Sequence, residues 1–131
     1  MKTISETTYV DQAEKVILRL KEKKDARGRS IRMVTTSKIR NLLAMTADIY
    51  NEVLNQQGSD LSDDCRERIE YLRIRFVYEA GREPSVKSFV EEAGILPILK
   101  EIGKEKKNYI LYNRYMEALV AFHKYHGGKD Q

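Results

Sequence analysis

The sequence predicts an all-α protein, folded as a single helical domain. Three observations lead there. Apolar residues recur at helical spacing through nearly every segment, helix-stopping residues fall between the segments, and no stretch shows the alternation of a strand. With two prolines and seven glycines in 131 residues, and with Lys, Glu, Arg and Leu abundant, little interrupts a helix.

The elements follow in order. A first helix is expected from about Tyr9 to Lys24, capped by Thr7 or Thr8, with Tyr9, Val10, Ala13, Ile17 and Leu20 as its apolar stripe. Residues 25–34 form a basic linker around Gly28, expected to be mobile. A second helix begins at Thr35 or Thr36 and reaches about Gln57; Ile39, Leu42, Leu43, Thr46, Ile49, Tyr50, Val53 and Leu54 give it a long buried face. The third starts near Leu61 or Ser62 and ends at Gly81, a natural C′ residue, with Cys65, Ile69, Leu72, Phe76 and Ala80 inward. Pro84 or Ser85 opens a short fourth helix that buries Val86, Phe89, Val90 and Ala93 and stops at Gly94. A turn or two from Pro97 to Ile102 precedes a last helix over about Glu105 to His126. That helix is apolar around most of its girth, as befits a central element or one packed on a partner. Residues 1–8 and 127–131 are read as flexible ends of one domain covering 1–131.

Composition narrows the class. Apolar and charged fractions of 41% and 34% describe a globular protein with a heavily charged surface. One cysteine rules out an internal disulfide framework and fits a reducing compartment. No apolar run is long enough to span a bilayer and the N-terminus lacks a signal-peptide block, so a cytoplasmic location is expected, with no membrane partner. The formal charge is only +4, yet between Lys15 and Arg40 ten Lys or Arg face only Glu22 and Asp25. Such a segment suits an anionic partner as well as it suits solvent.

Nothing points to an enzyme. Glycine-rich phosphate loops and hydrolase motifs are absent, so no small-molecule substrate and no cofactor is expected. Cys65 lies on an apolar face and reads as a small buried hydrophobe. His123 and His126, three apart, lack a third ligand close in sequence, so no metal is assigned.

Binding signals are richer. Arg68, Tyr71, Arg75, Tyr78 and Arg82 share one face of the third helix, about 80° wide. Guanidinium groups with rings between them suit a polyanion. The same spacing also suits a solvated face with Glu79 as an ion-pair partner, and the pattern leaves both open. Thr35, Thr36, Ser37, Lys38 and Arg40 crowd a helix N-terminus, where free N–H groups, hydroxyls and two cations match a phosphate; a plain threonine cap is the simpler reading. Arg114 and Lys124 lie within about 80° of each other on the last helix, with Tyr125 nearby.

Three segments in register carry a family resemblance: TTSKIRNLL from Thr35, YLRIRFVYEAGRE from Tyr71 and RYMEALVAFHKYHGGKD from Arg114, with YVDQAEK at Tyr9 in keeping. Together they resemble the small subunit of the type III-A CRISPR Csm effector complex. The resemblance implies a compact bundle of about five helices without a catalytic site. It implies several copies stacked along a guide–target RNA duplex, with other Csm subunits, copies of itself, guide RNA and target RNA as partners. Nuclease and oligoadenylate chemistry would then belong to other subunits. Carried onto matching positions, it implies RNA-binding roles for Lys38, Arg40, Arg73, Tyr78, Arg82, Arg114 and Lys124, while Arg75 and Arg68 come from the helix face alone. The linker 25–34 is longer and more basic than that family pattern requires. A helical adaptor that binds only protein, its basic face on an acidic partner, is the alternative.

Overall fold

A computed structural model describes residues 2–30 and 32–128. The chain forms α1 (Tyr9–Glu22), α2 (Thr36–Asn55), α3 (Asp63–Arg82), α4 (Pro84–Ala93), α5 (Ile95–Glu101) and α6 (Lys106–Tyr125). Among the described residues there is no strand; two isolated bridges join Lys24 to Ser30 and Asp60 to Glu105. The expected turn or two near Pro97 is a separate short helix, which makes six where about five were expected.

The helix ends show why the boundaries fall where they do. Thr35 accepts from the Lys38 N–H at 3.3 Å and Ser62 from the Cys65 N–H at 3.1 Å, each filling an orphan donor at an N-terminus. Pro84 starts α4, where its missing N–H costs nothing. Gly94, at φ +67, ends α4 in the left-handed conformation and turns the chain directly into α5. Gly81 is not the stop expected of it: its φ is not positive, and α3 continues through Arg82 to a cap at Glu83.

Helix α6 lies at the centre, packed on α1 and α2, while α3 packs on α2, α4 and α5. Its breadth of apolar surface is thereby explained within the domain. Tyr109, Tyr112, Met116 and Leu119 are fully buried, and each buried tyrosine hydroxyl finds a partner. Tyr109 donates to the Thr46 carbonyl at 2.6 Å, Tyr112 pairs with the Thr46 hydroxyl at 2.8 Å and Tyr115 donates to the Ala93 carbonyl at 2.8 Å. Burial pushes the Tyr115 hydroxyl up to about 12, and those of Tyr109 and Tyr112 higher still.

The inward faces of α3 and α4 match expectation residue for residue. On α1, Val16 is buried and Val10 is exposed; on α2, Leu54 is exposed and Thr36 is buried. The segment ahead of α1, expected to be loose, packs against α5. Ile4 is buried, and the Thr3 N–H and hydroxyl donate to the Glu101 carboxylate at 2.9 and 2.6 Å. Burial alone would raise the Glu101 pKa, but these bonds and one from the Lys2 N–H outweigh it and hold the group low.

The basic segment after α1 is a tight turn. Asp25 accepts from the Arg27 and Arg29 N–H groups at 2.9 and 3.0 Å, and Gly28 takes φ +79 between them. Its far end is pinned: Val34 is buried, and its carbonyl accepts from His123 Nε2 at 2.7 Å. Ile31 within this segment, and residues 129–131 of the expected flexible C-terminus, lie outside the described residues.

Candidate nucleic-acid interface

The surface between α2 and α3 is a groove with two unlike ends. At one end Lys38, Asn41, Leu42 and Met45 of α2 face Arg75, Glu79 and Arg82 of α3, closed off by Glu83 and Val86 at the start of α4, around a hollow of about 380 Å³. Helical geometry explains the gathering. Residues 75, 79 and 82 lie on consecutive turns of α3, and 38, 41 and 45 on consecutive turns of α2. The other end, about 720 Å³, is rimmed by Asp48 and Glu52 of α2 and by Asp64, Glu67 and Glu70 of α3, with Arg68 and Arg75 as its cations.

Three candidate cations therefore meet: Lys38, Arg75 and Arg82. They are not equally available. Arg75 is exposed and has no ion-pair partner among the described residues. Arg82 pairs with Glu79 at 3.7 Å across one helical turn and lies 5.8 Å from the centre of the Tyr78 ring. Such an exposed pair is worth at most about 1 kcal/mol and yields readily to a phosphate. Lys38 is held by the Glu83 carboxylate, a strap from α2 to the start of α4, so a phosphate would have to compete for it. Tyr71 and Tyr78 stand out from α3, 60% and 59% exposed.

The remaining candidates lie elsewhere. Arg40 is exposed on α2 but about 160° round the helix from Lys38, outside the groove. Arg73 lies a similar angle from Arg75 and pairs with Glu70 at 3.5 Å. Arg68 is paired with Glu52 at the acidic end. Arg114 and Lys124 are exposed on α6, which packs on α1 and α2 rather than along the α3 side of the groove.

The crowded start of α2 is largely engaged within the protein. The Thr35 hydroxyl caps its own helix, and the buried Thr36 hydroxyl lies 3.3 Å from His123 Nδ1. His123 and His126 do not converge: the first anchors Val34 and Thr36, and the second meets Glu14 at 2.8 Å. Among the described residues no group of His, Cys, Asp and Glu is arranged to hold a metal, and no helix is long and apolar enough to cross a membrane. Cys65 is a buried free thiol.

Sequence reasoning missed Asn41 and Glu83 in the groove. Asn41 carries no distinguishing pattern. Glu83 was hidden by distance along the chain, since its partner Lys38 is 45 residues away.

Comparison with known proteins bears on the family rather than on the groove. The family described as Csm2 Type III-A matches residues 14–129. The chain is 42% identical over 130 residues to the CRISPR system Cms protein Csm2 of Streptococcus thermophilus, covering 99% of this chain and all of that one. It is 39% identical over 129 residues to the protein of the same description from Mycobacterium tuberculosis, covering 98% of this chain and 99% of the relative. The chain belongs to the type III-A Csm2 family, the small subunit of the Csm effector complex.

Proposed function

We propose that this subunit is a non-catalytic RNA-binding element, several copies of which stack along the guide–target RNA duplex and hold its backbone without reading sequence. The observation that carries the reading is the basic end of the α2–α3 groove, where Arg75 and Arg82 converge on Lys38 with the Tyr78 ring beside them. Guanidinium groups in such a hollow engage phosphate oxygens in pairs, and an exposed ring offers a face to a sugar or base. Contacts to phosphate and sugar fix register but carry no sequence information, as a complex that accepts any guide requires. Lys38, Arg75, Tyr78 and Arg82 are ranked first. Arg40, Arg73, Arg114 and Lys124, on other faces, would contact RNA only if the duplex or a neighbouring strand passes there.

Crosslinking of RNA in the assembled complex tests the reading. The peptide spanning Arg75 to Arg82 should carry crosslinked RNA with any guide sequence. RNA crosslinked only to other subunits would favour the protein-only adaptor instead.

A further inference from the structure

The loop after α1 carries cations that the groove does not use. Lys24, Arg27 and Arg29 are exposed there, and among the described residues Lys24 and Arg27 have no ion-pair partner. A run of charge on a loose loop is ordinarily just solvated. This loop is built differently. The Asp25 N–H donates to the Arg29 carbonyl at 2.8 Å, the Gly28 N–H donates to the Asp25 carbonyl at 3.0 Å, and Lys24 bridges to Ser30. The Asp25 carboxylate accepts from the Arg27 and Arg29 N–H groups and from the Arg29 guanidinium at 3.2 Å. Its charge is thereby spent within the loop, and the cations stand on a fixed turn. A turn already ordered loses less freedom on binding than a mobile one.

The loop is also anchored at its base. Lys23 donates to the Ser88 hydroxyl at 3.1 Å, while Lys38, at the basic end of the groove, is tied to Glu83. Both straps reach the start of α4, at positions 83 and 88, a rise of about 7.5 Å along a helix. Lys87, exposed, lies between them. The loop and the basic end of the groove therefore share one end of the bundle, where α1 and α3 finish and α2 and α4 begin. The far end of the groove is rimmed by Asp48, Glu52, Asp64, Glu67 and Glu70, which repel a polyanion. A phosphate backbone held at Arg75 and Arg82 is thus drawn away from those acids, over α4 and toward the loop.

The chemistry of the loop favours a nucleic-acid backbone over a protein. Protein interfaces centre on aromatic or aliphatic anchors. From Lys23 to Ser30 the only apolar side chain is that of Ala26. Guanidinium groups pair with phosphate oxygens without such an anchor.

We infer that the loop from Lys24 to Ser30 is a preformed second contact for the RNA backbone, Lys24, Arg27 and Arg29 engaging phosphates beyond those held in the groove. The inference rests on the proposed RNA-binding role and adds a separate set of contacts to it. Contacts at two points fix the orientation of the subunit on the duplex, whereas one basic hollow leaves it free to pivot.

Anisotropy of a labelled RNA duplex of arbitrary sequence, titrated with the full chain at several salt concentrations, tests the inference. Replacing Lys24 and Arg27 by alanine should leave the helical circular dichroism intact and reduce the slope of log affinity against log salt by about 1.8. Combined with Arg75→Ala and Arg82→Ala, the loss should reach about 3.6, because the two pairs meet different phosphates. Asp25→Ala gives a test of opposite sign. It makes the chain more basic, so a loop acting by charge alone would bind RNA more tightly, whereas loosening of the turn should weaken binding severalfold. Tighter binding by Asp25→Ala would overturn the preformed contact. A wild-type slope for the Lys24 and Arg27 variant, with a flattened slope for the Arg75 and Arg82 variant, would overturn the inference and leave the groove standing. The reverse pattern would refute the groove and keep the loop. A combined loss no greater than that of either pair would overturn the separate contact, since the phosphates would then be shared. A duplex that fails to bind the wild-type chain refutes both. A loop variant that binds RNA as the wild type does, yet no longer assembles with the other Csm subunits, would make the loop a protein contact and overturn the inference.

Discussion

Replacing Arg75 and Arg82 together by alanine probes the groove most directly. Both side chains are exposed, and Arg82's exchangeable tie to Glu79 is weak, so the variant should keep its fold, with a stability change within about 0.5 kcal/mol per site. Each phosphate neutralised releases bound counterion, and the slope of log affinity against log salt falls by about 0.9 per contact on a duplex. Losing two contacts should flatten the slope by about 1.8. Between about 50 and 200 mM salt, a fourfold change, wild-type affinity should therefore fall about twelvefold further than that of the variant. Fluorescence anisotropy with a labelled RNA duplex, at protein concentrations low enough to keep the chain monomeric, measures both slopes. A weaker variant with an unchanged slope would show that these arginines do not neutralise phosphates. An unfolded variant would show that they are structural.

Two further outcomes concern the fold that holds the groove. Thr46→Val strands the buried Tyr112 hydroxyl and should cost about 1–3 kcal/mol in thermal or urea unfolding, whereas Thr46→Val with Tyr112→Phe should cost less than the sum of the two single changes; strict additivity would mean that the pair does not interact. The Asp25 carboxyl, lowered chiefly by the bond from the Arg29 N–H and further by those from Arg27 N–H and the Arg29 side chain, should titrate below its ordinary value of 3.8. Because the folded group is the stronger acid, the turn is favoured above 3.8 and loosens as pH falls through the lowered value; a carbon-detected NMR titration with its midpoint at or above 3.8 would refute this.

Local rules made much of this protein legible from its sequence. The inward faces of α3 and α4 could be read because 3.6-residue periodicity needs no knowledge of the neighbour, and Ser62, Pro84 and Gly94 marked boundaries through hydrogen-bonding and backbone preferences that act within a few residues. Gly81 misled for the same reason: a glycine near a helix end satisfies the rule for a stop, yet the chain continues in helical geometry to Arg82. The wheel also supplied the row of arginines and tyrosines on α3, and the resemblance of three segments supplied the family.

What the sequence could not decide was which of the basic residues keep company. Lys38 reaches Arg75 and Arg82 only because α2 packs beside α3, and Glu83 neutralises it only because α4 starts where the two helices meet. Such pairings depend on interaxial packing between segments tens of residues apart, which no periodicity encodes. Likewise His123 was one more residue on an apolar helix until the fold set it between Val34 and Thr36. The sequence by itself determined an all-helical domain and the residue types on each face. Tertiary packing decided which faces meet: it joined Lys38 to Arg75 and Arg82, kept Arg40 and Arg73 apart from them, and left Ile74 and Val77 uncovered within one chain.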